Sequence, residues 1–312
     1  MFYKKKTGGI TSSWNHGTIY CSTVTANLVH QQLGVQKCYL HPLELLTPTV
    51  IESRGKPITV TLLDANHCPG AVMFLFQIGT MKIKNILHVG DFRWNREVML
   101  QKSSPLLPFT TLGTSSSLQL DELYLDTTYC DESYSNIPSQ REAIDATLKV
   151  VEREIAECNK RKLKPLILFG SYAIGKERLY LEICERLRVK ALVDKKRYKT
   201  LAALNLPPEK MNLLTTRAEE TFVRIVPLPH INFKHMPSYY SAAGGTYALS
   251  RPFDCIIGFR PTGWTISEKK SNHELISKRT NGKLSIYGVP YSEHSNFLEL
   301  IGKYQFFDSE IP

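Results

Sequence analysis

Thr61-Leu62-Leu63-Asp64-Ala65-Asn66-His67 is a short apolar run that ends in a potential metal ligand, and Cys68-Pro69-Gly70 turns the chain immediately afterwards. The same design recurs at Ile86-Leu87-His88-Val89-Gly90-Asp91, which leads into Phe92-Arg93. Far downstream, Tyr287-Gly288-Val289-Pro290-Tyr291-Ser292-Glu293-His294 is again an extended run, a proline, and then an isolated histidine. Strand ends followed by tight Gly/Pro turns are where rigid sites are built. Two imidazoles and a carboxylate at strand ends are a plausible part of a hydrolytic metal centre. Each has a plainer reading when taken singly: a lone histidine is more often a hydrogen-bonded structural residue, and Gly-Asp after a strand is usually a turn.

Working outward, the first 130 residues are rich in strand-forming sequence. Residues 18–21, 57–63, 72–78, 84–89 and 122–125 read as strands from their β-branched and apolar content. Residues 22–32 form a candidate helix capped by Ser22, and the Ser/Thr/Leu/Pro-rich stretch 103–117 reads as a loop. After Cys130 the texture changes. Ser139-Gln140-Arg141-Glu142 has the capping-box pattern and opens a long helix to about Cys158, with Ala143, Ile144, Val151 and Ile155 on its buried side. A strand at 165–169, a loop at 170–175 and a helix at 176–187 follow, and alternating strands and helices imply α/β layers. His88 sits in a run that looks buried and reads as structural, and no flexible linker separates the two textures.

The chain has 312 residues, enough for one large domain or two. It contains no apolar run long enough for a transmembrane helix, so no membrane partner is expected. Met1-Phe2-Tyr3-Lys4-Lys5-Lys6 is basic with no apolar core behind it, which does not read as a secretory signal. The seven cysteines are scattered and form no Cys-x-x-Cys pair, so neither a zinc ribbon nor a disulfide framework is indicated, and a reducing compartment fits. The net charge of +10 suits a polyanionic partner, although a solvated basic surface is the plainer alternative. Apart from Lys4–Lys6, the basic clusters lie after residue 150, around 160–164, 188–199 and 269–279. A nucleic-acid surface is therefore expected mainly from the second half.

Six stretches carry a more specific signal when read in order: DANHCPGAVM, HVGDFR, LYLDTTYC, GSYAIGKE, FRPTGWT and VPYSEHSN. They resemble the motifs of the metallo-β-lactamase/β-CASP nucleases of DNA cross-link repair, most of all the cross-link repair 1A type of 5′ exonuclease, over nearly the whole chain. The resemblance implies an α/β fold: a metallo-β-lactamase αββα sandwich from residues 1–130 and 270–312, N-terminally incomplete, with an inserted β-CASP α/β domain at 131–269. It implies hydrolysis of DNA phosphodiesters from a 5′-phosphorylated end by a metal-activated hydroxide, a two-zinc centre, and action in the nucleus. Repair-protein partners are not indicated by any motif.

By the same resemblance His67 would bind the first ion, Asp91 would bridge, and His294 would bind the second. Asp126, in Leu125-Asp126-Thr127, matches an acid expected beside the metals, where it would orient ligands; Asp91, Asp126 and His294 are the catalytic candidates. Ser171, Tyr172 and Lys176 lie in a Gly-bounded loop before a helix. Hydroxyls, a lysine and a helix N-terminus make an anion site suited to a terminal phosphate, and an ordinary capped turn is the alternative. Arg260 is a candidate phosphate contact, and Trp264 either stacks on a base or fills core.

The family's HxHxDH motif stands just before a Tyr-Gly-Gly-like turn, which Gly8-Gly9-Ile10-Thr11 resembles here. That alignment puts Met1, Tyr3, Lys5 and Lys6 where the ligands would stand, and ammonium groups would repel the cations. Each ion keeps two protein ligands, so the polypeptide as written is expected to hydrolyse DNA slowly. Three accounts follow: an incomplete or isoform version of an active nuclease, a catalytically inactive DNA-binding or scaffold paralogue, or metal held by a different residue set. An RNA-processing β-CASP nuclease is a further alternative, which the LDTTYC, FRPTGWT and PYSEHS wording fits less well.

Overall fold

The structure is a computed structural model and describes residues 9–53, 55–110, 118–239, 253–263 and 275–304. The Met1–Lys6 segment and Trp264 lie outside the described residues. The chain divides into two compact units, Met1–Ser135 with Glu293–Pro312, and Asn136–Ser292.

In the first unit β1 (Ile19–Ser22) runs into α1 (Thr23–Leu28) and pairs in parallel with β2 (Leu40–Leu43). Ser22 caps α1 by accepting a hydrogen bond from Thr25 N at 3.2 Å. The helix expected over 22–32 is only six residues long; it passes into a wider turn at Val29–Leu33 and stops at Gly34, whose φ of 72° suits glycine. β3 (Thr49–Ser53), β4 (Lys56–Asp64), β5 (Val72–Ile78), β6 (Lys84–His88) and β7 (Glu122–Tyr124) form a five-stranded sheet in that spatial order. A short α2 (Arg96–Met99) lies between β6 and β7 in the chain, with Asn95 as its cap.

Alternation decides which residues of this sheet meet. Leu63, Met73, Leu75 and Leu87 join Phe92, Trp94 and Leu300 in one buried core. Val60 and Leu62, with Val72, Phe74 and Phe76 beside them, form a separate cluster that also takes in Leu43. Neighbouring strands are antiparallel except β6 and β7, which are parallel. It follows that β4, β6 and β7 all run the same way, and their C-terminal ends fall on one edge of the sheet.

The second unit opens with α3 (Gln140–Lys160), which carries the full capping box: Ser139 Oγ accepts from Glu142 N, and the Glu142 carboxylate accepts from Ser139 N. Next come β8 (Pro165–Ser171), α4 (Glu177–Leu187), β9 (Ala191–Leu192), α5 (Lys195–Ala202), α6 (Pro208–Met211), β10 (Leu214–Thr215), β11 (Val223–Pro227) and β12 (Cys255–Pro261). A hairpin of β13 (Ser277–Asn281) and β14 (Leu284–Val289) completes a seven-stranded sheet of order β10-β9-β11-β8-β12-β14-β13. All its pairings are parallel except that of the hairpin. Buried Leu166, Leu168, Val226, Ile256 and Ile286 make its core, as the near-continuous apolar runs of a parallel sheet require. Finally α7 (Phe297–Tyr304) belongs to the first unit.

The second compact unit extends beyond the boundary expected at residue 270. β14 lies parallel to β12 in register from Ile256↔Leu284 to Pro261↔Val289, so the second unit extends to Ser292 and the return to the first begins at Glu293. The reading of His88 as buried is corrected: the residue ends β6 exposed, with its ring stacked on Tyr124 at 5.4 Å. All seven cysteines are free thiols.

Candidate metal centre

Three of the expected residues follow the strands whose ends share an edge. His67 stands three positions past the end of β4, Asp91 three past β6, and Asp126 two past β7. The loop that carries His67 is built by short-range bonds. Asp64 Oδ1 accepts from Asn66 N at 2.6 Å, Ala71 N donates to Cys68 O at 3.0 Å, and Asn66 takes a left-handed φ of 51°. Gly70 reverses the chain with φ 87°, and its carbonyl accepts from both Ser22 Oγ and Thr25 Oγ1 at 2.8 Å.

His294 arrives from a distant part of the chain and is fixed by its neighbours. Ser295 N donates to Phe92 O at 3.0 Å, and Ser295 Oγ accepts from Trp94 N at 2.8 Å. This lays residues 294–295 against the segment that follows Asp91. The His67 Nδ1 donates to the carbonyl of Glu293 at 2.7 Å, so the lone pair of His67 is on Nε2, which lies 4.0 Å from Asp91 Oδ2. The rings of His67 and His294 meet edge to face with centroids 4.6 Å apart. Donor atoms of Asp91, Asp126 and His294 all lie within 4.8 Å of one another.

The electrostatics favour cation binding. Burial lowers the His67 pKa below its ordinary value, against the hydrogen bond to Glu293, which raises it; the ring is thereby kept neutral and able to ligate. Asp126 is held down at about 2: burial opposes ionisation, but hydrogen bonds from His294 and Thr128 outweigh it. Its Oδ2 accepts from His294 Nδ1 at 2.7 Å and Phe92 N at 3.2 Å, and its Oδ1 accepts from Thr128 Oγ1 at 2.6 Å and Thr128 N at 3.0 Å. A carboxylate has about four acceptor positions, so Asp126 is already saturated by protein donors and is better suited to orienting a ligand than to being one.

The four residues expected to meet phosphate are placed differently from one another. Ser171 ends β8 buried, with its hydroxyl donating to Gly175 O at 2.9 Å. Lys176 is the residue before α4, not its first turn, and adopts a left-handed φ of 73°. Its ammonium is buried, 3.5 Å from Tyr291 O and 5.2 Å from the centre of the Tyr291 ring. The Glu177 carboxylate accepts from Gly175 N at 2.8 and 2.9 Å, so an internal acid occupies the place proposed for an anion. Tyr172 and Arg260 do present exposed side chains. Arg197, not singled out in the sequence, donates to Tyr172 O at 2.7 Å and Ser171 Oγ at 3.2 Å and props the loop. Its place in a lysine-rich run concealed this.

The chain has a mixed α/β fold of the metallo-β-lactamase type, with imidazoles and carboxylates gathered at aligned strand ends. A solved protein of unknown function from Enterococcus faecalis V583 shares it, with a TM-score of 0.52 at 12% identity over 94% of this chain and 67% of that one. Residues 208–310 match the family model of the DNA repair metallo-beta-lactamases. The chain is 39% identical over 284 residues to the human DNA cross-link repair 1A protein, covering 90% of this chain and 24% of that one. It is 36% identical over 295 residues to the DNA cross-link repair protein SNM1 of Arabidopsis thaliana, covering 94% and 54%. It is 29% identical over 299 residues to the 5′ exonuclease Apollo of Danio rerio, covering 94% and 43%. Part of the chain thus matches the DNA repair metallo-beta-lactamases, and nearly all of it is similar to proteins of DNA cross-link repair. The chain spans between about a quarter and about half of these relatives' lengths.

Proposed function

We propose that this chain carries out metal-dependent hydrolysis of DNA phosphodiesters in cross-link repair, working from a 5′-phosphorylated end in the nucleus. The observation that carries the reading is the convergence of His67, Asp91 and His294 from three separate segments, with Asp126 behind His294. In this proposal His67, Asp91 and His294 are the ligands. Zinc suits them, because borderline-soft, redox-inert Zn²⁺ takes imidazole and carboxylate donors. A metal pair bound there supplies hydroxide near neutral pH and offsets charge on the scissile phosphate. The work of the protein is positional. Glu293 O holds the His67 proton on Nδ1 and leaves Nε2 to ligate; Asp126 does the same for His294 and makes that imidazole a better base. Asp91, held beside them, would offer its carboxylate to the bound metal.

Support for the hydrolytic reading comes from the kinship with the cross-link repair proteins and with a protein named as a 5′ exonuclease. The test is EDTA-sensitive shortening of 5′-phosphorylated single-stranded DNA by the purified chain. The expected result is slow cleavage that EDTA stops and zinc restores. DNA binding with no EDTA-sensitive cleavage at any zinc concentration would overturn the reading and favour a non-cutting DNA-binding protein.

Among the four phosphate candidates, DNA contact is proposed for the exposed pair, Tyr172 and Arg260, with Ser171 and Lys176 shaping the loop. An exposed arginine that meets phosphate releases condensed counterion and contributes equally to every sequence. Arg260→Ala is therefore expected to lower the slope of log affinity against log salt by about one, the share of a single phosphate contact. Fluorescence anisotropy with two oligonucleotides of unrelated sequence measures it. An unchanged slope removes Arg260 from the DNA surface.

A further inference from the structure

The segment Asp91-Phe92-Arg93 is the place where the three ligand-bearing stretches are tied together, and its third residue does most of the tying. Arg93 N donates to Ala65 O at 2.9 Å, and Arg93 O accepts from Asn66 Nδ2 at 3.1 Å, which fixes the strand end that leads to His67. The Arg93 side chain turns the other way. It is 2% exposed, and its Nη2 and Nε reach the same Glu299 oxygen at 2.8 and 3.2 Å. Glu299 lies in the first turn of α7, where Asn296 N donates to its Oε2 at 2.9 Å and its own N donates to Asn296 Oδ1 at 2.7 Å. One guanidinium thus connects the residue two places after Asp91 to the turn that begins two places after His294.

Core packing does not require a charged pair here. Leu300, the next residue of α7, already belongs to the apolar cluster with Phe92 and Trp94. An ion pair with a buried arginine and a half-buried glutamate is a poor source of stability but a good source of registry, because its geometry fixes direction as well as distance. A one-residue slip of α7 would move His294 by more than the tolerance of metal coordination, while an apolar contact would allow it.

We infer that the Arg93–Glu299 ion pair is a positioning device that sets the placement of His294 against Asp91 and so sets metal affinity. The inference rests on the proposed metal centre. Its test uses cobalt(II) as a visible probe on the full chain, with melting temperature followed in parallel. Two variants are compared with the unsubstituted protein: Glu299→Gln, which keeps shape but not charge, and the double variant Arg93→Met/Glu299→Leu, which removes both charges at similar volume. Cobalt affinity is expected to fall about tenfold in both, in the range found when residues behind metal ligands are lost, with altered ligand-field bands. Cobalt should also raise the melting temperature less than it does in the unsubstituted chain. If Glu299→Gln does not fold, the double variant, which leaves no unpaired buried charge, carries the test. Unchanged cobalt affinity and spectrum in either folded variant would overturn the positioning role and leave the pair purely structural. Failure of the unsubstituted chain to bind cobalt would instead sink the metal centre itself, and the positioning role with it.

Discussion

Asp91→Ala is expected to abolish zinc binding at micromolar protein and, with it, EDTA-sensitive cleavage of DNA. Asp91 is a carboxylate within reach of both imidazoles: its Oδ2 lies 4.0 Å from His67 Nε2, and one of its donor atoms is within 4.8 Å of those of Asp126 and His294. Replacing residues that merely stand behind a ligand costs about 10- to 100-fold in metal affinity; loss of a ligand itself should exceed that. The side chain is not part of the core, and Gly90 with its φ of 60° and the Val89 N to Tyr124 O bond at 3.0 Å hold the backbone without it. The variant should therefore fold. Isothermal titration with zinc decides the point, with Glu157→Ala, an exposed change on α3, as control. Zinc affinity within a few-fold of the unsubstituted chain would show that Asp91 is a turn residue and nothing more.

The position of Asp91 just past a strand end is legible in the sequence, and the reason is local. β4 and β5 are long strands with strong apolar content and β6 is a shorter one ending at a Gly turn, so their ends, and the residues just past them, can be placed from the pattern alone. The capping box at Ser139 is legible for the same reason, since all its partners lie within four residues. That His67, Asp91 and His294 meet was not derivable from pattern; it came from resemblance, because the pairing of β4, β6 and β7 in a common direction depends on contacts far apart in the chain. The short strands β2 and β3 were missed: Leu40-His41-Pro42-Leu43 contains a proline and a charged-capable ring that argue against a strand. The place of β14 in the second unit's sheet is not legible, because it resembles an isolated extended run until its parallel partner β12 is known. Lys176 shows the limit most clearly. A lysine before a helix reads as an anion contact, yet its left-handed backbone and the tyrosine rings around it bury the ammonium. Nothing within a few residues of Lys176 announces Tyr291.

The second large effect is expected at a residue without a side chain. A Cβ placed on Gly70 would stand 2.9 Å from Val24 Cγ1, 3.0 Å from Thr25 Oγ1 and 3.1 Å from Thr25 N. The last of these is backbone at the start of α1 and cannot swing aside. The φ of 87° adds a second penalty for any L side chain. Gly70→Val should consequently destabilise the protein by about 2 to 4 kcal/mol, the sum of backbone strain and overpacking. Ser22→Ala, which removes one of the two hydroxyls on the Gly70 carbonyl, should cost only about 1 kcal/mol, because Thr25 still donates. Urea midpoints at constant slope measure both. The consequence for function follows from position. Gly70 closes the loop that presents His67, and Ala71 N bonds back to Cys68 O across it at 3.0 Å. If the loop yields instead of α1, zinc affinity falls together with stability. If α1 yields, stability falls alone and His67 keeps its place beside Asp91. A Gly70→Val protein as stable as the unsubstituted chain would mean that the turn has another conformation available, and the close packing of the His67 loop on α1 would no longer explain how the first ligand is held.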